Sequence, residues 1–363
     1  MPIEIFSRIK DGSLSRVCHD ENYCNIQLKY KKKEFKFNVN RLWNNNEGND
    51  EIFNEIAHKS NGYKRVFWLA FGYTGSGKTY TIYALLRSLL EQIKTNSSIN
   101  QVSVSAYQIY NDKIYDMLDK NKPITVWRTK DLVLKGLKKK KVTDIERLFA
   151  VFGKNRKLAS TYMNAVSSRS HGIINVFVGD MQYTLVDLAG QESGTTSCDN
   201  TRLVKTQGTS INLNMLALKE CIRAYYLKEK HIPFRRSLLT LALKPLFVSK
   251  CYVAFISTIS LNHNIFYQID SLRYAMALYD DTVDDESRKY FELCNEYSNY
   301  IANMEKINTE EKKIWEQMRE GNFEDCYKIK ENLIKKCDAM TKFSAKYKKY
   351  QIELPDINLN RKK

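Results

Sequence analysis

The chain has 363 residues, 43% of them hydrophobic and 27% charged, with a formal net charge of +17. That length allows one large α/β domain plus something smaller, and a surface so basic implies an acidic partner: nucleic acid, an anionic membrane or an acidic protein polymer. Eight scattered cysteines without a C-x-x-C pair indicate neither a zinc nor a thioredoxin-like site, and no window approaches the ~20 apolar residues of a membrane span.

The first residues, MPIEIFSRIK, lack the apolar stretch of a signal peptide, so an intracellular, soluble protein is expected. Ile3–Phe6 reads as the first strand, and Ile26–Phe37 runs on as one extended stretch through Lys29, Lys31, Lys32 and Lys33. Val66–Phe71 is a continuous apolar strand, as expected of one buried on both faces. Tyr80–Ile93 is helical, and Val102–Tyr107 opens a region, to about 135, whose closely spaced strands suggest antiparallel hairpins. A helix over Asp144–Lys154 is followed by strands at Ile173–Val178 and Tyr183–Val186. Helices at Ile211–Lys228 and Leu238–Phe247 then precede a strand at Tyr252–Ile259. Strands alternating with helices argue for an α/β fold with a mostly parallel sheet flanked by helices. Beyond about residue 280 the composition shifts to Lys, Glu, Asn and Tyr. Apolar positions there recur at helical spacing on either side of Glu320-Gly321-Asn322, which predicts two amphipathic helices. The expected division is 1–280 and a helical extension over 281–363, a hairpin or short coiled coil that offers a seam for a homodimer.

Between Phe71 and Tyr80 lies a complete phosphate-loop motif, Gly72-Tyr73-Thr74-Gly75-Ser76-Gly77-Lys78-Thr79. Strand before and helix after are the context it needs. Glycines let backbone N–H groups crowd around phosphate oxygens, and the helix N-terminus adds its positive dipole end. Lys78 is placed to reach the β- and γ-phosphates, and the Thr79 hydroxyl to bind Mg2+. Asp187-Leu188-Ala189-Gly190-Gln191-Glu192 follows a strand, so its carboxylate can hold Mg2+ through water and Gly190 can offer an N–H to a γ-phosphate. Asn164 to His171 (N-A-V-S-S-R-S-H) clusters hydroxyls and a guanidinium just before another strand.

Together, in this order, these segments resemble the kinesin motor family over residues 3 to about 279: the phosphate loop, then N-x-x-S-S-R-S-H as switch I, then D-L-A-G-x-E as switch II. Tyr107–Leu118, Ile211–Arg223, His231–Thr240 and Ser271–Ala275 look like further family segments. The resemblance implies a P-loop NTPase of the kinesin motor type, hydrolysing ATP with Mg2+ and binding microtubules in the cytoplasm and cytoskeleton. It implies ATP contacts at Gly72, Thr74, Gly75, Ser76, Gly77, Lys78, Thr79, Tyr80 and Arg8. Thr79, Ser168 and Asp187 would serve the metal. Ser167 would position the attacking water, Gly190 would sense the γ-phosphate, and Arg169 with Glu192 would close the switches in a salt bridge. Candidate microtubule contacts are Lys31, Lys32, Lys33, Lys138, Lys139, Lys140, Lys141, Lys219, Arg223, His231, Arg235 and Arg236. No aromatic-basic interleaving or motif of a nucleic-acid binder is present. Leu216–Ala224 is similar to the L-A-L-K-E-C-I-R-A run of the kinesin-13 class, which depolymerises microtubule ends. A walking motor of another class, or a non-enzymatic binder on a decayed motor fold, is the alternative. The chain departs from the family at Tyr73 (for Gln), Gln191 (for Ser) and Gln207 (for Glu). Ser7-Arg8-Ile9-Lys10-Asp11 replaces V-R-x-R-P, and the kinesin-13 Lys-Val-Asp loop tip is missing.

Overall fold

The computed structural model describes residues 3–11, 16–19, 24–30, 33–96, 102–128, 131–152, 169–190, 202–262 and 265–276, with scattered positions between 307 and 341. The chain divides into two compact units, Met1–Asp281 and Thr282–Lys363.

In the first unit, β1 (Ile3–Asp11), β5 (Arg41–Trp43), β6 (Arg65–Phe71), β13 (Met181–Asp187) and β14 (Tyr252–Ser260) pair in parallel in the order β13-β6-β14-β1-β5. Beyond β13 the sheet turns antiparallel through β12 (His171–Val178), β7 (Val102–Tyr110), β8 (Lys113–Asp116), β9 (Lys122–Arg128) and β10 (Leu132–Lys135). The mostly parallel sheet expected from the sequence is thus met only around the phosphate loop, and the sheet as a whole is mixed. Short connections are the reason: Gly179-Asp180 joins β12 to β13, and Asn111-Asp112, both with positive φ, joins β7 to β8. Two-residue turns of this kind fold a chain directly back on itself, whereas a parallel neighbour needs a long crossover.

Helices cover both faces. One core cluster joins Phe6, Trp68 and Ile256 to α1 (Asn49–Lys59), α2 (Lys78–Asn96) and α3 (residues 145–152). The other joins Phe71, Phe255 and Ile259 to α4 (Arg202–Tyr226), α5 (Leu238–Ala242) and α7 (Ile265–Met276). With helices on both sides, β14 is buried along its whole length, which is why its sequence reads as one apolar run.

Three expectations are revised. Ile26–Phe37 is not one extended stretch: β3 (Cys24–Tyr30) and β4 (Lys33–Val39) pair antiparallel, closing at Tyr30 opposite Lys33 and joining β2 (Arg16–His19) in a separate sheet. The helix expected at Leu238–Phe247 is two, α5 and α6 (Lys244–Val248), because Pro245 has no N–H for the Leu241 carbonyl and starts a new helix instead. The helix expected from Ile211 begins already at Arg202.

In the second unit the described positions, 307, 310, 311, 314–316, 331, 332, 334, 335, 338 and 341, are helical. The turn expected at Gly321 lies outside the described residues.

Candidate nucleotide site

The phosphate loop links β6 to α2 at the C-terminal end of the parallel strands, the edge at which open α/β sheets bind ligands. Gly72 turns the chain out of β6 at φ +145, and a Cβ there would lie 2.4 Å from the Thr258 carbonyl oxygen. The end of β14 braces the loop from beneath: the Thr258 hydroxyl donates to the Phe71 carbonyl at 3.1 Å and lies 2.6 Å from Ser76 Oγ. Lys10 Nζ donates to the Gly75 carbonyl at 2.9 Å. Lys78 is buried, and its ammonium donates to the carbonyls of Gly72 (2.9 Å) and Tyr73 (2.8 Å). Phosphate oxygens entering the loop would replace those carbonyls as acceptors. Thr74 Oγ1 is buried inside the loop with no hydrogen-bond partner. A cradle with an orphaned hydroxyl and an ammonium fits an anionic, oxygen-rich ligand.

Asp187 ends β13, directly beside β6, and its Oδ2 accepts a 2.6 Å hydrogen bond from the Thr79 hydroxyl. Hard oxygens of this kind suit Mg2+. Among the described residues no cluster of three or more His, Cys, Asp or Glu side chains exists, so such an ion would draw its remaining ligands from phosphate and water. Gly190 presses on the loop, where a Cβ would sit 2.3 Å from Thr74 Oγ1 and 3.2 Å from the Thr74 nitrogen. A side chain here would push the Asp187–Gly190 segment off the phosphate loop.

Arg8 lies at the far side of the loop. Its guanidinium donates to Thr81 Oγ1 (3.1 Å) and Asn49 Oδ1 (2.7 Å) and sits 5.2 Å from the centre of the Tyr80 ring. Asn49 Nδ2 donates to the Tyr80 hydroxyl at 2.9 Å, which fixes a ring that is otherwise 62% exposed.

The structure therefore brings together Arg8, the loop from Gly72 to Tyr80, Asp187 and Gly190. Arg169 is described just before β12, and Ser167, Ser168 and Glu192 lie outside the described residues. Four contributors are not among the expected site residues. Lys10 and Asn49 reach the site from distant sequence. Tyr73 stacks on Tyr267 of α7, with ring centres 4.3 Å apart and planes 11° from parallel. His171, buried at the start of β12, accepts a 3.0 Å hydrogen bond at Nδ1 from the Ala189 amide. Burial, and secondarily the charge of Lys78, push the His171 pKa down to about 3, so the ring is neutral with its proton on Nε2. His171 stands in the quoted hydroxyl-rich motif, but only the pairing of β12 with β13 reveals its partner.

The candidate partner surface is mixed. Lys138 to Lys141 are all exposed, and Lys139–Lys141 form β11, paired with β7. They are also held by the chain itself. Lys138 pairs with Asp119 at 3.0 Å, Lys140 donates to the Leu118 carbonyl at 2.7 Å, and Lys139 sits 3.8 Å from the Phe177 ring centre. Arg223, His231, Arg235 and Arg236 are exposed and Lys219 is half-buried, while Arg236 forms an ion pair with Glu220. Lys31 and Lys32 lie outside the described residues. Among the described residues no helix is long and apolar enough to cross a membrane.

A family model described as the kinesin motor domain matches residues 8–279. The kinesin-like protein KIF24 of Mus musculus is 35% identical over 244 residues, covering 61% of this chain and 18% of that protein. The kinesin-like protein KIN-13B of Arabidopsis thaliana is 31% identical over 276 residues, covering 67% of this chain and 40% of that protein. The chain thus spans well under half the length of these relatives. Among solved structures, the motor domain of the kinesin-related protein Kar3 of Saccharomyces cerevisiae superposes with a TM-score of 0.60 at 23% identity, covering 77% of this chain and 100% of that one. A fast kinesin gives a TM-score of 0.61 at 24% identity, covering 76% and 90%.

Proposed function

The chain belongs to the kinesin motor-domain family, and from that premise we propose that it hydrolyses MgATP at the loop of residues 72–79 and couples the reaction to microtubule binding. The observation that carries this reading is the 2.6 Å contact between Thr79 Oγ1 and Asp187 Oδ2, which joins the phosphate loop to the D-x-x-G segment. In this reading Lys78 exchanges its two loop carbonyls for phosphate oxygens, and the Thr74 hydroxyl gains the partner it lacks. Mg2+, when bound, neutralises charge on the β- and γ-phosphates. Thr79 and Ser168 would ligate it, and Asp187 would hold it through water. Ser167 orients the attacking water, and Arg169 with Glu192 closes the site around it. Gly190, pressed against Thr74, registers whether a γ-phosphate is present. Catalysis of this kind is positioning and charge stabilisation, with no covalent step on the protein. Arg8 and Tyr80 offer a preset aromatic surface for the base.

The exposed cations at Lys138–Lys141, Arg223 and Arg235, with the exposed His231 beside them in sequence, support an acidic polymer as partner, with Lys31–Lys33, Lys219 and Arg236 as further candidates. A homodimer through the second unit and a location on cytoplasmic microtubules belong to the same reading. The test is ATP turnover with and without stabilised microtubules. Stimulation by microtubules, and loss of turnover by about 100-fold or more in Lys78→Ala with an unchanged circular dichroism spectrum, are the expected results. Wild-type turnover in that variant would remove the loop from the reaction.

The Leu216–Ala224 segment favours shortening of microtubule ends over walking. Imaging stabilised microtubules with protein and ATP decides it: shortening supports the kinesin-13 reading, and gliding without shortening overturns it.

A further inference from the structure

We infer that His171 is a positioning residue for ATP hydrolysis, holding the Asp187–Gly190 backbone against the phosphate loop through the Ala189 amide. The inference rests on the reading that ATP binds at that loop. Its basis is how each amide along that segment is held. Asp187 is still in the sheet, in register with Gly172 on one side and Ala70 on the other. Leu188 N–H donates to the Ala70 carbonyl at 3.0 Å. There the strand pairing ends, and the next amide, Ala189, donates to a side chain instead, the His171 imidazole. One residue further, Gly190 lies against Thr74. His171 thus extends the ladder by one bond, at the place where the chain leaves the sheet for the loop. Without it the peptide between Leu188 and Ala189 would lose its anchor, and the next peptide, which carries the Gly190 N–H, would lose its fixed direction.

Two features argue that the imidazole is kept for this purpose. The acceptor must be neutral, since a proton on Nδ1 would face the Ala189 N–H head-on, and burial together with Lys78 keeps the ring neutral. The opposite nitrogen, Nε2, is buried without a partner. An orphaned buried donor costs about 1–3 kcal/mol. A Leu or Phe would fill the space without that cost, so packing alone does not account for a histidine here.

The test is single-turnover hydrolysis of prebound MgATP by wild type, His171→Asn, His171→Gln and His171→Ala, with ATP affinity measured by equilibrium dialysis. Asparagine presents Oδ1 near the position of Nδ1, whereas glutamine extends its oxygen past it toward Nε2. The expected result is ATP affinity within about threefold in all four proteins and hydrolysis within about fivefold of wild type in His171→Asn. His171→Ala and His171→Gln should be slower by about 10- to 100-fold, in line with loss of one oriented donor to the transition state. If His171→Ala does not fold, the asparagine and glutamine variants still carry the comparison. Equal losses in those two, or rates that follow melting temperature regardless of the acceptor, overturn the inference. Hydrolysis by all four proteins alike overturns it while leaving the function intact. A wild type that binds MgATP and never hydrolyses it overturns both.

Discussion

At Gly72 the backbone carries a φ of +145 and an added Cβ would lie 2.4 Å from a main-chain oxygen that cannot swing aside. Gly72→Ala should therefore cost about 2–4 kcal/mol through combined strain and overpacking, read as a lower urea midpoint at unchanged slope. A loss below about 0.5 kcal/mol would mean that β14 does not brace the loop. His171 gives a pH prediction. Its folded pKa of about 3 lies below its ordinary 6.5. Between those values the unfolded chain binds a proton that the folded chain does not. Stability should fall as pH drops below about 6.5, by up to about 1.4 kcal/mol per pH unit until about pH 3. His171→Asn should lose that share of the slope in parallel urea titrations, and identical slopes would show the histidine titrating freely. At this scale the sequence was informative wherever chemistry and spacing coincide: Lys78, Thr79 and Asp187 stand together as their motifs imply. Lys10, Asn49 and Tyr267 were not legible. Each reaches the loop from elsewhere in the chain, and no local pattern marks which distant side chain will point inward.

Elements were legible in proportion to their burial. β6 and β14 read directly because both their faces are covered, and α2 because it follows its loop without interruption. The antiparallel arm was half legible: hairpins were expected up to about residue 135, where β7 to β10 lie, but β12 and β13 were read as strands without their direction, which depends on the short turn Gly179-Asp180 that an apolar count overlooks. The helix split at Pro245 is a breaker signal that periodicity outweighed. Helix α7 is tied to both the loop and α4. Tyr267 stacks on Tyr73, Tyr274 lies 5.3 Å from Phe71 between ring centres, and the Tyr274 hydroxyl donates to the Met215 carbonyl at 3.0 Å. Tyr73 stands where the family has glutamine, so the stack belongs to this chain. Tyr73→Gln and Tyr267→Ala should each destabilise, and the double variant by less than their sum, with a coupling of about 0.5–1.5 kcal/mol in a denaturation cycle. Strict additivity would mean that the rings touch without holding the loop to the helix.

For the whole molecule, the residues proposed to contact nucleotide lie upstream of the boundary between Asp281 and Thr282. A chain ending at Asp281 should keep its basal ATPase within about threefold, while binding to microtubules weakens steeply with added salt, as expected when exposed lysines meet an acidic lattice. A folded truncation unable to bind ATP would show that the second unit completes the site. The net charge pointed to an acidic partner, but not to the engagement of Lys138 and Lys140 by the chain's own Asp119 carboxylate and Leu118 carbonyl. The sheet has one more consequence, for biosynthesis. Among the described strands of this sheet β1 comes first in the chain and is sandwiched between β5 and β14, while its long partner β14 comes last. At about 5–20 residues per second, some 250 residues of translation separate the two, a wait of roughly 12–50 s. Through that interval Ile3, Ile5 and Ile9 have no strand to lie beside on one edge. The nascent chain must be shielded by chaperones or by its own later helices before the sheet can close, and maturation should slow with any delay in translating Tyr252–Ser260.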